Sequence, residues 1–236
     1  MAGEAKSVQQ TLPRVALVAG ATGLTGHALL RALLGNSDYS RVLAVTRRPL
    51  LQDHPRLANR VLPLEQAQAG LAGQRCTDAF CCIGAVAARS GSLAQLTPVD
   101  VDLTLVFARA ALALGATRLV VVSAAGADRN AKRPFLRAKG EMEAALRGLR
   151  FVSVDILQPG VVLGVRAQMG VGAVLQLALL PLLNPLLAGS LASRRAISAT
   201  DLAAAMLGAA RFQRSGINHY DGPSLQALAR RGRSAS

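Results

Sequence analysis

The sequence contains no tryptophan, and aromatic residues make up only 3% of its 236 residues. Few rings are therefore present to stack on exposed nucleic-acid bases. Acidic residues are also scarce, 13 against 27 lysines and arginines, which gives a formal net charge of +14. Such a charge alone favours a nucleic-acid or anionic-surface partner. The basic residues are spread along the whole chain, however, so we do not expect nucleic acid to be the partner.

Cysteine is equally scarce. Cys76, Cys81 and Cys82 form an odd set within one short stretch, and the adjacent pair lies in an apolar, strand-like run. This pattern argues against a disulfide framework and against a zinc site. We expect reduced, buried thiols, no metal, and a cytoplasmic location.

The chain shows no internal repeat and no linker. Residues 1–13 are polar and lack the apolar stretch of a secretory signal, so we expect a disordered lead-in. We predict one domain over residues 14–229, in which about 160–229 form a C-terminal substrate or lid region. Residues 230–236 contain a cluster of arginines and are predicted to be a frayed basic tail.

An apolar stretch without charge covers residues 167–193. Its central part, 171–188, is long enough to be considered as a membrane span. Gln176, Asn184 and two prolines interrupt it. We favour a lid or a homodimer contact over a membrane-surface contact, and both over a true span.

Short apolar runs alternate with segments of helical spacing along most of the chain. Strands are predicted at 14–19, 41–46, 60–64, 77–83, 118–123, 151–157 and 216–220, and helices at 24–34, 97–114, 131–146, 195–210 and 223–228. This alternation predicts an α/β fold, a doubly wound parallel sheet with helices on both faces.

A glycine-rich loop, GATGLTG, joins the first strand to the first helix. Its glycines, Gly20, Gly23 and Gly26, permit a tight turn and close approach of the backbone to a pyrophosphate. The free N–H groups and the dipole of the following helix stabilise negative charge. The sequence therefore predicts a dinucleotide site at this loop.

The residues after the second strand select the dinucleotide. NAD sites usually carry a carboxylate there, which accepts hydrogen bonds from the ribose. Here the strand runs into Arg47 and Arg48, whose guanidiniums suit a 2′-phosphate. We predict NADP(H) in preference to NAD(H); the alternative is a pair of solvated surface arginines.

Taken together, GATGLTG, VTRRP, CCIG, VVVSAAGAD, FLRAKGEMEA and ILQPGVVLG resemble the atypical short-chain dehydrogenase/reductase superfamily. Within it, the chain looks most like the NmrA-like and Tat-interacting-protein oxidoreductase branch. The resemblance runs from about residue 14 to 228 and implies a Rossmann-type core with a small C-terminal substrate region.

The resemblance also implies roles for individual residues. Ser123 matches the active-site serine, and Lys139 matches the lysine that holds the nicotinamide ribose. Arg47 and Arg48 would face the adenosine phosphate. The remaining implied cofactor contacts are Gly20, Thr22, Gly23, Leu24, Thr25 and Gly26 around the pyrophosphate, Cys82, Ile83 and Gly84 beside the adenine ribose, and Pro159, Gly160 and Val162 over the nicotinamide.

One departure from the family pattern concerns the proton donor. The family places a tyrosine four residues before the lysine, where a phenol next to a lysine donates a proton to a carbonyl oxygen. Phe135 stands at that position here and has no proton to give. Tyr39 is predicted at the wrong end of the sheet, and Tyr220 would reach the site only through the C-terminal region. No histidine is assigned a role.

Three functions follow in order of preference. The first is an NADP(H)-dependent oxidoreductase acting on a small carbonyl-type molecule, in which Ser123, Lys139 or a water replaces the missing phenol. The second is a non-catalytic NADP(H)-binding redox sensor with a protein partner. The third is a basic protein that contacts nucleic acid or an anionic membrane.

Overall fold

A computed structural model of the protein describes residues 13–84, 98–163, 196–212 and 214–233. The strands are β1 (Arg14–Ala19), β2 (Tyr39–Thr46), β3 (Leu57–Val61), β4 (Asp78–Cys81), β5 (Arg118–Val122), β6 (Ser153–Leu157), β7 (Val162–Leu163), β8 (Ile197–Ser198) and β9 (Gly216–Tyr220). The helices are α1 (Leu24–Gly35), α2 (Ala67–Gly70), α3 (Pro98–Ala113), α4 (Pro134–Leu146), α5 (Ala199–Phe212) and α6 (Gly222–Arg233).

Seven strands form one parallel sheet in the order β3-β2-β1-β4-β5-β6-β9, and β7 pairs with β8 in a small second sheet. The chain moves outward from β1 in one direction and then crosses to β4 to move in the other. The carboxyl ends of β1 and β4 therefore border a crevice, which is where ligands bind in folds of this type. The predicted fold class is confirmed.

The central strands are apolar on both sides because helices cover both faces of the sheet. On one face, α1 and α5 contribute buried side chains such as Leu29, Leu33 and Met206. On the other, α3 and α4 contribute Phe107 and Met142. Burying each such side chain is worth about 1.5–3 kcal/mol, so the two cores hold the strand ends in fixed positions.

Helices α5 and α6 approach each other unusually closely. A Cβ added to Gly208 would overlap the carbonyl oxygen of Leu228, and one added to Gly232 would overlap that of Ala204. Glycine is therefore needed at both positions for the helix backbones to meet. This contact holds α6 against the helix that covers the sheet.

The amino edge of the sheet carries a buried ion cluster. Asp78, 1% exposed, accepts hydrogen bonds from Arg14 Nε at 2.9 Å and Nη2 at 2.8 Å, and from Thr77 Oγ1 at 2.7 Å. Arg118 Nη1 lies 3.9 Å from the same carboxylate. Both arginines also donate to the carbonyl oxygen of Ala210, at the end of α5. The cluster ties β1, β4 and β5 to that helix.

Several predicted boundaries differ from the structure by a few residues, among them those of the third strand and of the last helix. The third strand lies at Leu57–Val61 instead of 60–64, because it pairs with β2 from Val42 opposite Leu57 to Thr46 opposite Val61. The last helix does not end at 228 before a frayed tail. It continues to Arg233, since Gly232 packs on α5 and Arg233 forms an ion pair with Asp201.

The C-terminal region predicted at 160–229 contributes to the main sheet. Strand β9 pairs with β6, and α5 lies on the sheet face beside α1. The lead-in up to residue 12, the apolar stretch 167–193 and residues 234–236 lie outside the described residues. Among the helices that the structure does describe, none is long and apolar enough to cross a membrane.

Candidate functional site

The parallel sheet brings the predicted site residues to its carboxyl edge. Gly20 follows β1, Arg47 follows β2, Cys82 follows β4 and Ser123 follows β5. Pro159 and Gly160 come just after β6, and Val162 lies in β7. Lys139 comes from α4, which begins at this edge. Every predicted position is therefore at or near one edge, although the individual roles stay predictions.

The glycine loop has the shape that a pyrophosphate cradle needs. Gly20 has a φ of 81°, and its Cβ would lie 2.8 Å from the carbonyl carbon and oxygen of Cys82. A Cβ on Gly26 would overlap the carbonyl oxygen of Gly20, while the amide of Gly23 donates to that oxygen at 3.0 Å. The loop is compact because two of its glycines cannot accept a side chain.

The first turn of α1 is free to receive an anion. Its N-cap residue, Gly23, provides no side-chain hydrogen bond, and the first turn contains no acidic residue. The amides at the start of a helix otherwise lack partners, and the helix dipole favours negative charge there. Thr22 is exposed, Leu24 is half-buried and Thr25 is buried. The loop fits a dinucleotide phosphate.

Arg47 and Arg48 are both exposed directly beyond Thr46. Within the described part of the chain, neither guanidinium forms an ion pair. No acidic residue stands at this strand end. The end of β2 therefore presents two positive charges at the carboxyl edge, with no carboxylate that would hold a ribose 2′-hydroxyl.

The segment after β4 lies against the glycine loop. The amide of Cys82 donates to the carbonyl of Ala19 at 3.0 Å, and Gly84 has a φ of 85°. Ile83 is half-buried.

The three cysteines are free thiols, as predicted; Cys76 and Cys81 are buried and Cys82 is partly exposed. Burial raises the pKa of all three, that of Cys76 to about 12. They are consequently poor nucleophiles.

Ser123 and Lys139 meet at the end of β5. Ser123 is 5% exposed, and its hydroxyl donates to a carboxylate oxygen of Glu143. The ammonium of Lys139 is 1% exposed and donates to the carbonyl oxygen of Val122, the residue before Ser123, at 3.0 Å. Burial beside β5 fixes this side chain toward the sheet, so Lys139 is not an exposed lysine on the helix surface.

Phe135 lies in the first turn of α4, one helical turn before Lys139. Residues four apart share a helix face, so Phe135 occupies the position of the expected phenol. Its half-buried ring has no proton to donate. The sequence spacing of the expected pair is kept, but the residue at the position of the phenol has no acidic group.

Neither tyrosine takes over that role. Tyr39 begins β2 at the amino edge and is 1% exposed. Tyr220 ends β9, but its hydroxyl points away from the carboxyl edge. It donates to Asp155 Oδ1 at 3.2 Å, in the middle of the adjacent strand β6. Burial and the neighbouring Asp155 raise the pKa of Tyr220 to about 12. Tyr220 was expected to reach the site only through the C-terminal region; the structure places it at the end of β9 in the central sheet, with its hydroxyl on Asp155.

The structure adds three residues that sequence reasoning missed. Gln158 donates from Nε2 to both carboxylate oxygens of Glu143, at 2.9 and 3.1 Å. His219 Nε2 lies 3.4 Å from Glu143 Oε2. Glu143 is thus surrounded by Ser123, Gln158 and His219, which come from three parallel strands. The place of Glu143 four residues after Lys139, on the same helix face, was the available signal, and nothing local pointed to His219.

The segment after β6 runs beside the segment after β5. The amide of Ser123 donates to the carbonyl oxygen of Leu157 at 2.7 Å, and that of Ala125 to Pro159 at 2.9 Å. Gly160 and Val162 are partly buried. In the part of the chain covered by the structure, no cluster of three His, Cys, Asp or Glu side chains is arranged to hold a metal ion.

Comparison with curated proteins gives relatives over about two thirds of the chain. It is 36% identical over 155 residues to "Protein FMP52, mitochondrial" of Eremothecium gossypii, covering 64% of this chain and 67% of that protein. The Saccharomyces cerevisiae protein of the same name is 33% identical over 172 residues, covering 69% and 73%. "Protein HTATIP2" of Rattus norvegicus is 32% identical over 150 residues, covering 62% of each.

The chain belongs to the FMP52 and HTATIP2 family of atypical short-chain dehydrogenases/reductases. The predicted superfamily and branch are confirmed. No family model matches the sequence. Because the matches span about two thirds of each relative, activities of whole family members remain proposals for this chain.

Solved structures show the same fold. An oxidoreductase of the short-chain dehydrogenase/reductase family from Burkholderia thailandensis aligns with a TM-score of 0.66 at 22% identity, covering 91% of this chain and 94% of that one. MoeE5 in complex with UDP-glucose and NAD aligns with a TM-score of 0.63 at 18% identity, covering 91% and 80%. The chain therefore has the fold of NAD(P)-binding oxidoreductases.

The predicted cytoplasmic location is contradicted. It rested on reduced cysteines, and thiols are compatible with more than one compartment. The FMP52 members of the family are named mitochondrial.

Proposed function

We propose that the protein is an NADP(H)-dependent oxidoreductase that acts on a small carbonyl compound or the corresponding alcohol. The observation that carries the cofactor assignment is the end of β2, where Arg47 and Arg48 are exposed and no carboxylate is present. Guanidiniums suit a 2′-phosphate, to which they can donate bidentate hydrogen bonds. The ribose hydroxyls of NAD(H) are instead usually bound by a carboxylate.

The proposed cofactor contacts come from the glycine loop and from the carboxyl edge of the sheet. The loop from Gly20 to Gly26 binds the pyrophosphate, and Cys82, Ile83 and Gly84 line the adenosine. Lys139 binds the nicotinamide ribose, and Pro159, Gly160 and Val162 cover the nicotinamide, which exchanges a hydride with substrate. Ser123 stands at the reacting end, where its buried oxygen contacts the substrate oxygen. These assignments are supported by the convergence of all these positions at one edge.

Titration calorimetry tests the cofactor assignment. Wild type is titrated with NADPH and NADH, as is the double variant Arg47→Ala, Arg48→Ala. We expect wild type to bind NADPH at least about tenfold more tightly, or 1.4 kcal/mol, and the double variant to lose that preference. If wild type binds neither nucleotide at millimolar concentration, the dinucleotide proposal is refuted.

The matched control is Arg147→Ala, Arg150→Ala. Both side chains are exposed where α4 has ended and the chain returns to the amino edge. The control removes the same two charges, so any general effect of net charge on an anionic ligand appears there too. An equal loss of NADPH preference in the control would contradict a specific role for Arg47 and Arg48.

A second function, an NADP(H)-binding sensor without turnover, is favoured by one observation, Phe135. Steady-state NADPH consumption separates the two, with benzaldehyde, cyclohexanone and 9,10-phenanthrenequinone as probes. Turnover above background supports the enzyme, and we expect Phe135→Tyr to increase it. Tight NADPH binding without turnover by either protein supports the sensor.

A further inference from the structure

We propose that Ser123, Glu143 and His219 form a proton relay that replaces the missing phenol, in which Glu143 exchanges a proton with Ser123 and His219 connects Glu143 to solvent. The proposal rests on the oxidoreductase function proposed above. It assigns roles to Glu143 and His219, which act through Ser123 and do not themselves contact the substrate.

The first step of the relay is the contact between Ser123 and Glu143. The serine hydroxyl donates to Glu143 Oε1, so its proton is directed into the protein and its lone pairs remain for a substrate at the carboxyl edge. A hydroxyl in this state accepts a proton from an alcohol while passing its own proton to the carboxylate. Ser123 is therefore oriented as the base for alcohol oxidation.

The second member of the relay is Glu143, whose side chain is only 8% exposed. Gln158 donates to both of its oxygens and so fixes the plane of the carboxylate. Buried carboxylates require such partners because an unpaired buried charge is costly. Lys139, one turn earlier on α4, adds a buried positive charge beside Ser123. At rest, Glu143 therefore has Oε1 toward Ser123 and Oε2 toward His219, and a half-turn of the carboxyl group exchanges the two oxygens within the same plane.

The third member of the relay is His219, which connects Glu143 to solvent. His219 Nε2 lies 3.4 Å from Glu143 Oε2, and 34% of its side chain is exposed. Its position follows from the parallel pairing of β9 with β6, where His219 lies opposite Ile156 on the α4 side of the sheet. An imidazole has two ring nitrogens, so it can accept a proton from Glu143 on one and release a proton to solvent from the other.

The proton balance of alcohol oxidation is complete with these groups. The C–H bond of the alcohol carbon breaks as its hydride leaves for the oxidised nicotinamide, and the carbonyl bond forms. The alcohol proton moves to Ser123 Oγ, and the former hydroxyl proton of Ser123 moves to Glu143 Oε1. A half-turn of the carboxyl group then brings that proton to His219 Nε2, and His219 passes a proton on to solvent. Carbonyl reduction follows the same path in reverse, with Glu143 returning the proton through Ser123.

The test measures reduction by NADPH of whichever probe named above wild type reduces fastest. Glu143→Gln keeps the shape of the side chain but cannot carry the proton, and His219→Ala removes the exit. We expect each to lower kcat about 100-fold, with the KM and the NADPH affinity unchanged within about twofold. The double variant is expected to be no slower than the slower single variant, because relay members act as a unit.

Chemical rescue distinguishes a relay from a structural contact. Added imidazole has access to the space left by His219→Ala, since this side chain is partly exposed, and we expect it to restore kcat at least about tenfold. It is expected to leave Glu143→Gln slow. Glu141→Gln is the matched control, because Glu141 is exposed on the same helix and should retain wild-type kcat.

The outcomes separate the two proposals. If wild type binds NADPH but reduces none of the probes, the oxidoreductase function and its relay are both refuted. If wild type turns over and both variants keep its kcat, the relay alone is refuted. A His219→Ala variant that is slow but not rescued, with a lowered melting temperature, overturns the role of His219 even where Glu143→Gln does not fold.

Discussion

The tight packing of the glycine loop leads to a specific prediction for Gly26. A Cβ there would overlap the carbonyl oxygen of Gly20, which is backbone and has no side-chain torsion with which to move away. Overpacking of this kind costs about 1–3 kcal/mol, against which alanine in a helix returns up to about 1 kcal/mol. We expect Gly26→Ala to lose about 2 kcal/mol of unfolding free energy, or roughly 4–8 °C in melting temperature.

The same substitution must move the loop that we propose binds the pyrophosphate. We therefore expect the NADPH affinity of Gly26→Ala, measured by titration calorimetry, to fall at least about tenfold, or 1.4 kcal/mol. Gly35→Ala is the control, because Gly35 lies on the same helix and an added Cβ meets nothing within 4 Å. That variant should gain about 0.4–1 kcal/mol and bind NADPH normally. If Gly26→Ala matches wild type in stability and affinity, the cradle argument is refuted.

Three further predictions concern the rest of the fold. Asp78→Asn should lower the unfolding free energy in urea by about 3 kcal/mol, because it removes the buried partner of Arg14; an unchanged value would contradict the ion cluster. The Cys76 thiol has its pKa raised to about 12, so the folded state holds its proton above pH 8.5 where the unfolded chain loses it. Stability should then fall as pH rises from about 8.5 to 12, and Cys76→Ala should reduce that slope by about 1.4 kcal/mol per pH unit in urea titrations at several pH values. Gly208→Ala should lower the melting temperature by several degrees, roughly 2 kcal/mol, since its methyl group meets the carbonyl of Leu228; a gain in stability would show that the helices can separate without cost.

Local patterns were sufficient to predict the elements around the proposed cofactor site. The glycine loop, the strand before it and the helix after it are specified within a few residues, and parallel pairing then places the strand ends together. The third strand was predicted three residues too late in the sequence because Asn59 and Arg60 interrupt its apolar pattern. Its actual position comes from pairing with β2. Its bounds depended on a neighbour distant in sequence.

The contacts around Glu143 were beyond sequence reasoning for a different reason. His219 and Glu143 meet only because β9 is the neighbour of β6, and the order of strands at a sheet edge is a property of the complete fold. The extension of α6 was missed because the arginine cluster near the end of the sequence indicated a frayed basic tail. In the structure Gly232, within that cluster, is the point where two helices meet.

The arrangement of α5 and α6 has a consequence for biosynthesis. The sheet face that holds Leu29 and Leu33 is completed by α5, which follows β1 to β6 in the chain and therefore leaves the ribosome after them. Among the described elements, only α1 covers the apolar side chains of these six strands on that face until then. Nascent chains with such uncovered surface aggregate readily, and long-range parallel pairing folds slowly. We expect ribosome-bound chains that stop before residue 196 to bind chaperones persistently and those that include α6 to be released.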